Sequence, residues 1–445
     1  MAVACVVLLS LAFRLHVSHE CSLWLDEVST HVHVLQSWPK VLYGPEPQHP
    51  PLMFVLVKVA TNFLGTGETA MRSVSLFFGC ILLVAVYDLC LELGLTVRRS
   101  VIVVSTLALS PFFIRHATEA RQYAMFTAFS TLATARALRL LRGPVRTRDL
   151  VGFAINAVAA AATQYFGLAY ALALLGSIAI GVAQQWKQTA MSRRLAAVGT
   201  LLGCLVPLGY LTLRAAALGR TYAVGEIGAT GGPAFNSELL QDYLHSFSFL
   251  TNELWSVALQ PGLTLVGLVL LSRQLRGVAR TLPLGLGLVP CVAALFMSGQ
   301  HFIAARYLAP SAVFYHLGAC VALFAAVDRI RLALARGRLP ALLAPYVGGF
   351  MLIGLLAARL REYPDGFGAG EEDYRALQRY FRAELARDTA LVAYPGFFGE
   401  LLLHKEYNVG TRLISLEKFR PLPGVNRYLI VEVAANAERH AEAGA

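Results

Sequence analysis

The run Val74-Ser75-Leu76-Phe77-Phe78-Gly79-Cys80-Ile81-Leu82-Leu83-Val84-Ala85-Val86-Tyr87 contains no charged residue and sits within a longer apolar stretch, 69–91. A helix of about 20 such residues matches the hydrocarbon thickness of a bilayer, so the stretch reads as a membrane span. Hydropathy places further spans near 2–18, 100–114, 122–141, 150–164, 166–183, 195–213, 254–271, 282–298, 308–327 and 340–358, about eleven in all. The composition agrees. Of 445 residues, 56% are hydrophobic and 15% charged, whereas a soluble chain carries about 25% charged residues. An ordinary soluble enzyme is excluded. So is a disordered chain, because 24 Phe, 17 Tyr and the long apolar runs bury themselves readily.

The net charge of +11 would suggest nucleic acid in a soluble protein. Here the placement of the basic residues gives another reason for it. Arg98 and Arg99, Arg136 to Arg148, Lys187 with Arg193 and Arg194, Arg273 to Arg280, and Arg329 to Arg338 fall in alternate loops. Such loops stay cytoplasmic, so topology accounts for the charge and no nucleic-acid partner is expected. The N-terminus is then inside, read as a first span and not a signal peptide. The long loops 19–68 and 215–252, and the tail, are outside. Six of the seven cysteines lie in apolar stretches and only Cys21 in a polar loop, so neither a disulfide framework nor a metal-type Cys/His spacing is present.

The expected fold is an all-α polytopic membrane protein with interfacial helices in the first outer loop and a small soluble α/β appendage at the C-terminus. A membrane domain spans 1–360 and the appendage 361–445. In the latter, Glu371 to Ala386 has helical spacing, while Ala390 to Tyr394 and Tyr428 to Val433 read as strands.

Chemistry concentrates on the outer face. Trp24-Leu25-Asp26-Glu27 opens a segment whose Val28, Val32 and Leu35 recur at helical spacing. Asp26 at its start faces the helix amides, which favour the ionised carboxylate; the plain alternative is that Asp26 and Glu27 only cap the helix. His49 precedes Pro50-Pro51, which preset the first turn of another helix, and taken alone it reads as a helix-cap residue or a satisfied interfacial histidine before it reads as a ligand or catalyst. Arg115, His116, Glu119, Arg121 and Tyr123 gather at one outer span boundary; His301, Arg306 and Tyr307 gather at another. Snorkelling to headgroups is the alternative for the arginines. Together the groups suit one reaction: a carboxylate takes a proton from a hydroxyl, while Arg and His hold a departing phosphate.

The ordered set Arg14, Trp24-Leu25-Asp26-Glu27, His49-Pro50-Pro51-Leu52, Gly65 with Arg72 and Ser75, Ser110-Pro111, Glu119-Ala120-Arg121-Gln122-Tyr123 and Arg306-Tyr307-Leu308-Ala309-Pro310 resembles the GT-C superfamily of membrane glycosyltransferases. Within it, the set resembles specifically the family 39 branch that contains protein O-mannosyltransferases and the lipid A aminoarabinose transferase. The resemblance implies an inverting transferase that moves a hexosyl or pentosyl group from a polyprenyl-phosphate donor to an acceptor hydroxyl on a protein, lipid or glycan. It implies Asp26 as the base with Glu27 as its acidic neighbour. It also implies His49, Arg121, Tyr123, Arg306 and Tyr307 near the donor phosphate, with Arg14, Arg72 and His301 as further site residues. Gly225, Gly228, Gly231 and Gly232 would let the loop 215–252 act as a lid. No cofactor is required, although Asp26, Glu27 and His49 leave a divalent cation open. The setting is a bacterial inner membrane, cytoplasmic N-terminus, outward site. A transporter or flippase for a lipid-linked or anionic solute, or a polyprenyl-phosphate binder without catalysis, is the competing reading.

Overall fold

A computed structural model describes residues 1–20, 23–43, 49–184, 186, 191–222, 237–249, 254–297 and 304–333, together with three strands. In chain order the helices are α1 (Ala2–Glu20), α2 (Leu25–Val34), α3 (Trp38–Tyr43), α4 (Leu52–Leu64), α5 (Glu68–Glu92), α6 (Val97–Ala108), α7 (Pro111–Thr118) and α8 (Tyr123–Arg142). Then come α9 (Thr147–Thr163), α10 (Phe166–Gln184), α11 (Met191–Tyr222), α12 (Ser237–Ser246), α13 (Gln260–Gln274), α14 (Leu282–Met297) and α15 (Ala309–Ala333). Among the described residues, seven helices are long and apolar enough to cross a membrane, and an eighth if α6 and α7 form one broken span. This is an integral membrane protein.

Set against the eleven expected spans, helices stand where 122–141 and 150–164 were expected. However, α8 carries Arg136, Arg139 and Arg142 toward its end, and α9 is 17 residues long. The span expected at 340–358 lies outside the described residues. The one expected at 100–114 needs correction: it is two helices, α6 and α7, bent by 63°. Pro111 opens α7 and has no N–H for the carbonyl of Leu107, so α6 cannot run through it. After α7 ends at Thr118, the Ala120 amide meets Glu27 of α2, the helix that also holds Asp26.

The first expected outer loop folds as α2, α3 and α4. Pro50-Pro51 lead into α4, whose end is closed by Gly65 at φ 87°, a left-handed conformation that costs glycine little. The core is built on α5 against α8 and on α13 against α15. The second pair touches backbone to backbone. A Cβ on Gly267 would fall 1.8 Å from the carbonyl oxygen of Gly318, so only glycine fits. By contrast α1 and α11 are peripheral, leaving Leu8, Leu9, Leu202, Val206 and Leu213 exposed, as lipid-facing side chains are.

In the C-terminal region β1 (Thr389–Tyr394), β2 (Arg412–Ser415) and β3 (Arg427–Glu432) form a parallel sheet in the order β2-β1-β3. The first and third coincide with the expected strands; β2 was not expected. The helix expected at 371–386 lies outside the described residues.

Candidate active site

The first turn of α2 places two adjacent carboxylates in different surroundings, because successive residues on a helix are rotated by about 100°. Glu27 is fully buried. Its Oε1 accepts from Arg72 Nε at 2.8 Å and from the Ala120 amide at 2.6 Å; its Oε2 accepts from Arg72 Nη2 at 2.6 Å and the Trp24 amide at 3.2 Å. Arg72 also donates to the Ser18 carbonyl at 2.7 Å. Burial pushes the Glu27 carboxyl up from its ordinary value, and the hydrogen bonds and charge of Arg72, with the Ala120 amide, work against that rise. The two-pronged geometry is that of an ion pair. It ties α1, α2, α5 and the α7–α8 junction together.

The other end of α2 is fixed as well. The Lys58 Nζ donates to the carbonyls of Val34 at 2.7 Å and Gln36 at 2.6 Å, a cation on the negative end of the helix. Sequence reasoning missed Lys58, since nothing in the run Met53 to Leu64 signals a partner more than twenty residues back.

Held this way, Asp26 points elsewhere. Its side chain is 31% exposed, and Oδ2 lies 3.5 Å from Arg306 Nη2 and 3.7 Å from Arg121 Nη2. Arg121 sits at the α7–α8 junction, where Ser75 holds its carbonyl at 3.0 Å. Its guanidinium is buried and donates to the Asp26 carbonyl and Thr30 Oγ1, each at 3.2 Å, and to His49 Nε2 at 2.9 Å. Arg306 lies on a single tight turn, Ala305–Leu308, that leads into α15. Its guanidinium packs over Trp24, Tyr123 and Tyr307, with ring centroids at 5.4, 5.8 and 5.8 Å, and Tyr307 stacks on Phe166. Among the described residues, Nε of Arg121 and Nε of Arg306 are buried without a hydrogen-bond partner. Two cations thus share one carboxylate oxygen at long range and retain unused donors.

His49 is buried against Arg121, with Nδ1 3.1 Å from the Gln122 amide. Burial and then the charge of Arg121 bring its pKa down to about 3, against a hydrogen bond with Gln164. Glu119 accepts from Arg115 Nε at 2.8 Å and lies 3.2 Å from His116 Nδ1. Burial would raise its pKa, but His116 and Arg115 outweigh that and bring it down to about 2.

The structure therefore gathers Asp26, His49, Arg121, Tyr123, Arg306 and Tyr307 in one cluster. Arg72 is engaged with Glu27, and Arg14 lies deeper, its guanidinium against Gly79 of α5. His301 and the four loop glycines lie outside the described residues. Within the expected lid, α12 and the residue after it are docked: Tyr243 and Phe247 are buried, Phe247 packs on Phe112 and Tyr315, and Asp242 accepts from the Ala305 amide at 3.4 Å. Thr30, Gln122 and Gln164 belong to the cluster but were not singled out. Thr30 lies one turn after Asp26 and was legible by spacing; Gln164 sits between two spans with no signal. Among the described residues, no group of three His, Cys, Asp or Glu side chains is arranged to hold a metal ion.

This helix arrangement is shared with solved membrane enzymes. The crystal structure of ArnT from Cupriavidus metallidurans bound to undecaprenyl phosphate is similar over 93% of this chain and 85% of that one, with a TM-score of 0.56 and 15% identity. The archaeal oligosaccharyltransferase AglB from Archaeoglobus fulgidus, in complex with an inhibitory peptide and a dolichol-phosphate, is similar over 93% of this chain with a TM-score of 0.53 and 13% identity. This chain spans 64% of that longer one. The chain has the GT-C fold. No protein-family model matches the sequence, and no curated protein does.

Proposed function

We propose that this protein is an inverting glycosyltransferase that uses a polyprenyl-phosphate sugar. One observation carries the reading: Asp26 is partly exposed beside two guanidiniums that keep buried donors unused, while its neighbour Glu27 has both oxygens filled. In the proposed step Arg121 and Arg306 grip the donor phosphate. Asp26 takes the proton of an acceptor hydroxyl as its oxygen bonds to the anomeric carbon. The bond from that carbon to the phosphate oxygen breaks, its electron pair leaves with the phosphate, and the configuration inverts. The guanidiniums stabilise the charge gathering on the leaving group, and Trp24, Tyr123 and Tyr307 hold Arg306 in place. The likeness to structures bound to undecaprenyl phosphate and dolichol-phosphate supports a lipid-phosphate donor. The basic loops at the opposite end support a site on the outer, non-cytoplasmic face of the membrane, which this reading takes to be a bacterial inner membrane.

The test is turnover of a labelled polyprenyl-phosphate sugar by the purified protein, read as release of polyprenyl phosphate, which a transporter does not produce. Removal of a general base costs about 10²–10⁴-fold. Asp26→Asn should therefore lose transfer on that scale while keeping its melting temperature. Normal transfer by that variant would remove Asp26 as the base.

A further inference from the structure

The arginine proposed to hold the donor phosphate is itself held, and the geometry of that hold fixes the charge of its neighbour. Arg121 Nη2 lies 2.9 Å from His49 Nε2. A guanidinium has only hydrogens to offer, so Nε2 must present its lone pair. The ring proton then sits on Nδ1, whose neighbour at 3.1 Å is the side-chain amide nitrogen of Gln122. Two N–H groups cannot bond each other, so this assignment requires the Gln122 amide to rotate and bring its oxygen to the ring proton. Pro50 and Pro51 fix the backbone beside it, and the side chain is buried.

The charged groups around the ring all bear on this assignment. Arg121 faces it from the α7–α8 junction and Arg306 from the turn before α15, both cationic, while Asp26 of α2 faces Arg121. A second proton on the ring would set a third positive charge against two others and abolish the acceptor that Arg121 uses.

We propose that His49 acts as a neutral hydrogen-bond acceptor that aims the Arg121 guanidinium at the donor phosphate and contributes no charge to it. His49 is then a positioning residue, not the phosphate ligand that the sequence resemblance implies. The inference rests on the reading of Arg121 as a phosphate ligand.

The test is equilibrium binding of a polyprenyl methyl phosphodiester to the full chain in nanodiscs between pH 5.5 and 8. A phosphodiester stays a monoanion over this range, so any change belongs to the protein. Wild-type affinity should vary by less than about twofold, because a histidine that stays neutral throughout does not titrate there. His49→Gln, which keeps an acceptor, should weaken binding about fivefold. His49→Lys, a cation against Arg121, should weaken it at least about thirtyfold. A wild-type affinity that falls about tenfold or more as pH rises through 6.5, with His49→Gln insensitive to pH, would overturn the proposal, as would a His49→Lys variant that binds as tightly as wild type. A flat wild-type profile supports the proposal without any variant, and if His49→Gln fails to fold, His49→Asn takes its place in the pH comparison. Arg121→Ala separates the two readings: undiminished binding there removes Arg121 as the phosphate ligand, whereas diminished binding with a pH-dependent wild type removes only the role of His49.

Discussion

The two ends of the helical bundle treat their arginines differently. Over the 20 residues of α8, about 30 Å of helix, the chain passes from Arg121 and the cluster at Asp26 to Arg136 and Arg139. At the latter end three arginines are paired with carboxylates at short range, although among the described residues Nε of Arg136 is also buried without a hydrogen-bond partner. Arg139 reaches both Asp88 and Glu92, Arg136 meets Asp149 at 3.0 Å, and Arg99 meets Asp328 at 2.6 Å. At the Asp26 end two guanidiniums share one oxygen at 3.5 and 3.7 Å. Matched pairs complete the structure. Two cations held by hydrogen bonds and aromatic rings, with one carboxylate oxygen between them at long range, suit an anion that the protein does not itself contain.

The pair Glu27 and Arg72 sharpens the comparison, because it lies at the Asp26 end yet is saturated like the pairs at the other. Removing one partner of such a buried pair leaves an uncompensated charge and costs about 3–5 kcal/mol. Glu27→Ala should therefore show the largest loss of thermal stability, and Glu27→Leu with Arg72→Leu should recover part of it. A Glu27→Ala variant with an unchanged melting temperature would place this pair among the dispensable ones.

Arg121→Ala and Arg306→Ala should each weaken donor binding about 10–100-fold, the worth of charge-assisted hydrogen bonds to a phosphate. If either variant binds donor as well as the wild type, the distinction between the two ends fails.

Acid should act at the Asp26 end. His49, held down to about 3, stays neutral in the fold while the unfolded chain takes up its proton below 6.5. Stability should therefore fall from pH 6.5 toward 3. Glu119, held down to about 2, contributes stability that is complete above 4.5 and lost as the pH falls through 2. Melting temperature against pH measures both: His49→Gln should flatten the upper part of the decline and Glu119→Gln the lower part. The smallest effect is expected at the matched end. Arg139→Ala, breaking two partly exposed pairs, should cost about 1–2 kcal/mol and leave donor binding unchanged; a larger change in binding would show the two ends to be coupled.

Much of this was legible along the chain. The spans follow from apolar runs, and Asp26 at the start of an amphipathic segment, with arginines at two later span boundaries, marked the face that carries the chemistry. The break at Pro111 escaped the reading because hydropathy averages over a proline, while the hydrogen-bond ladder cannot. Lys58 and Gln164 escaped it because each is explained only by a partner distant in sequence.

Local properties, the hydropathy of a window and the stiffness of a proline pair, belong to the sequence, and they determined that this is a membrane protein with its polar groups drawn to one side. Which of two adjacent carboxylates is consumed by an arginine and which is left open was decided by the tertiary structure alone. A helix turns them to different neighbours, and those neighbours arrive from α5, the α7–α8 junction and the turn before α15. The charge on His49 was decided the same way, because a ring nitrogen facing a guanidinium has only its lone pair to give.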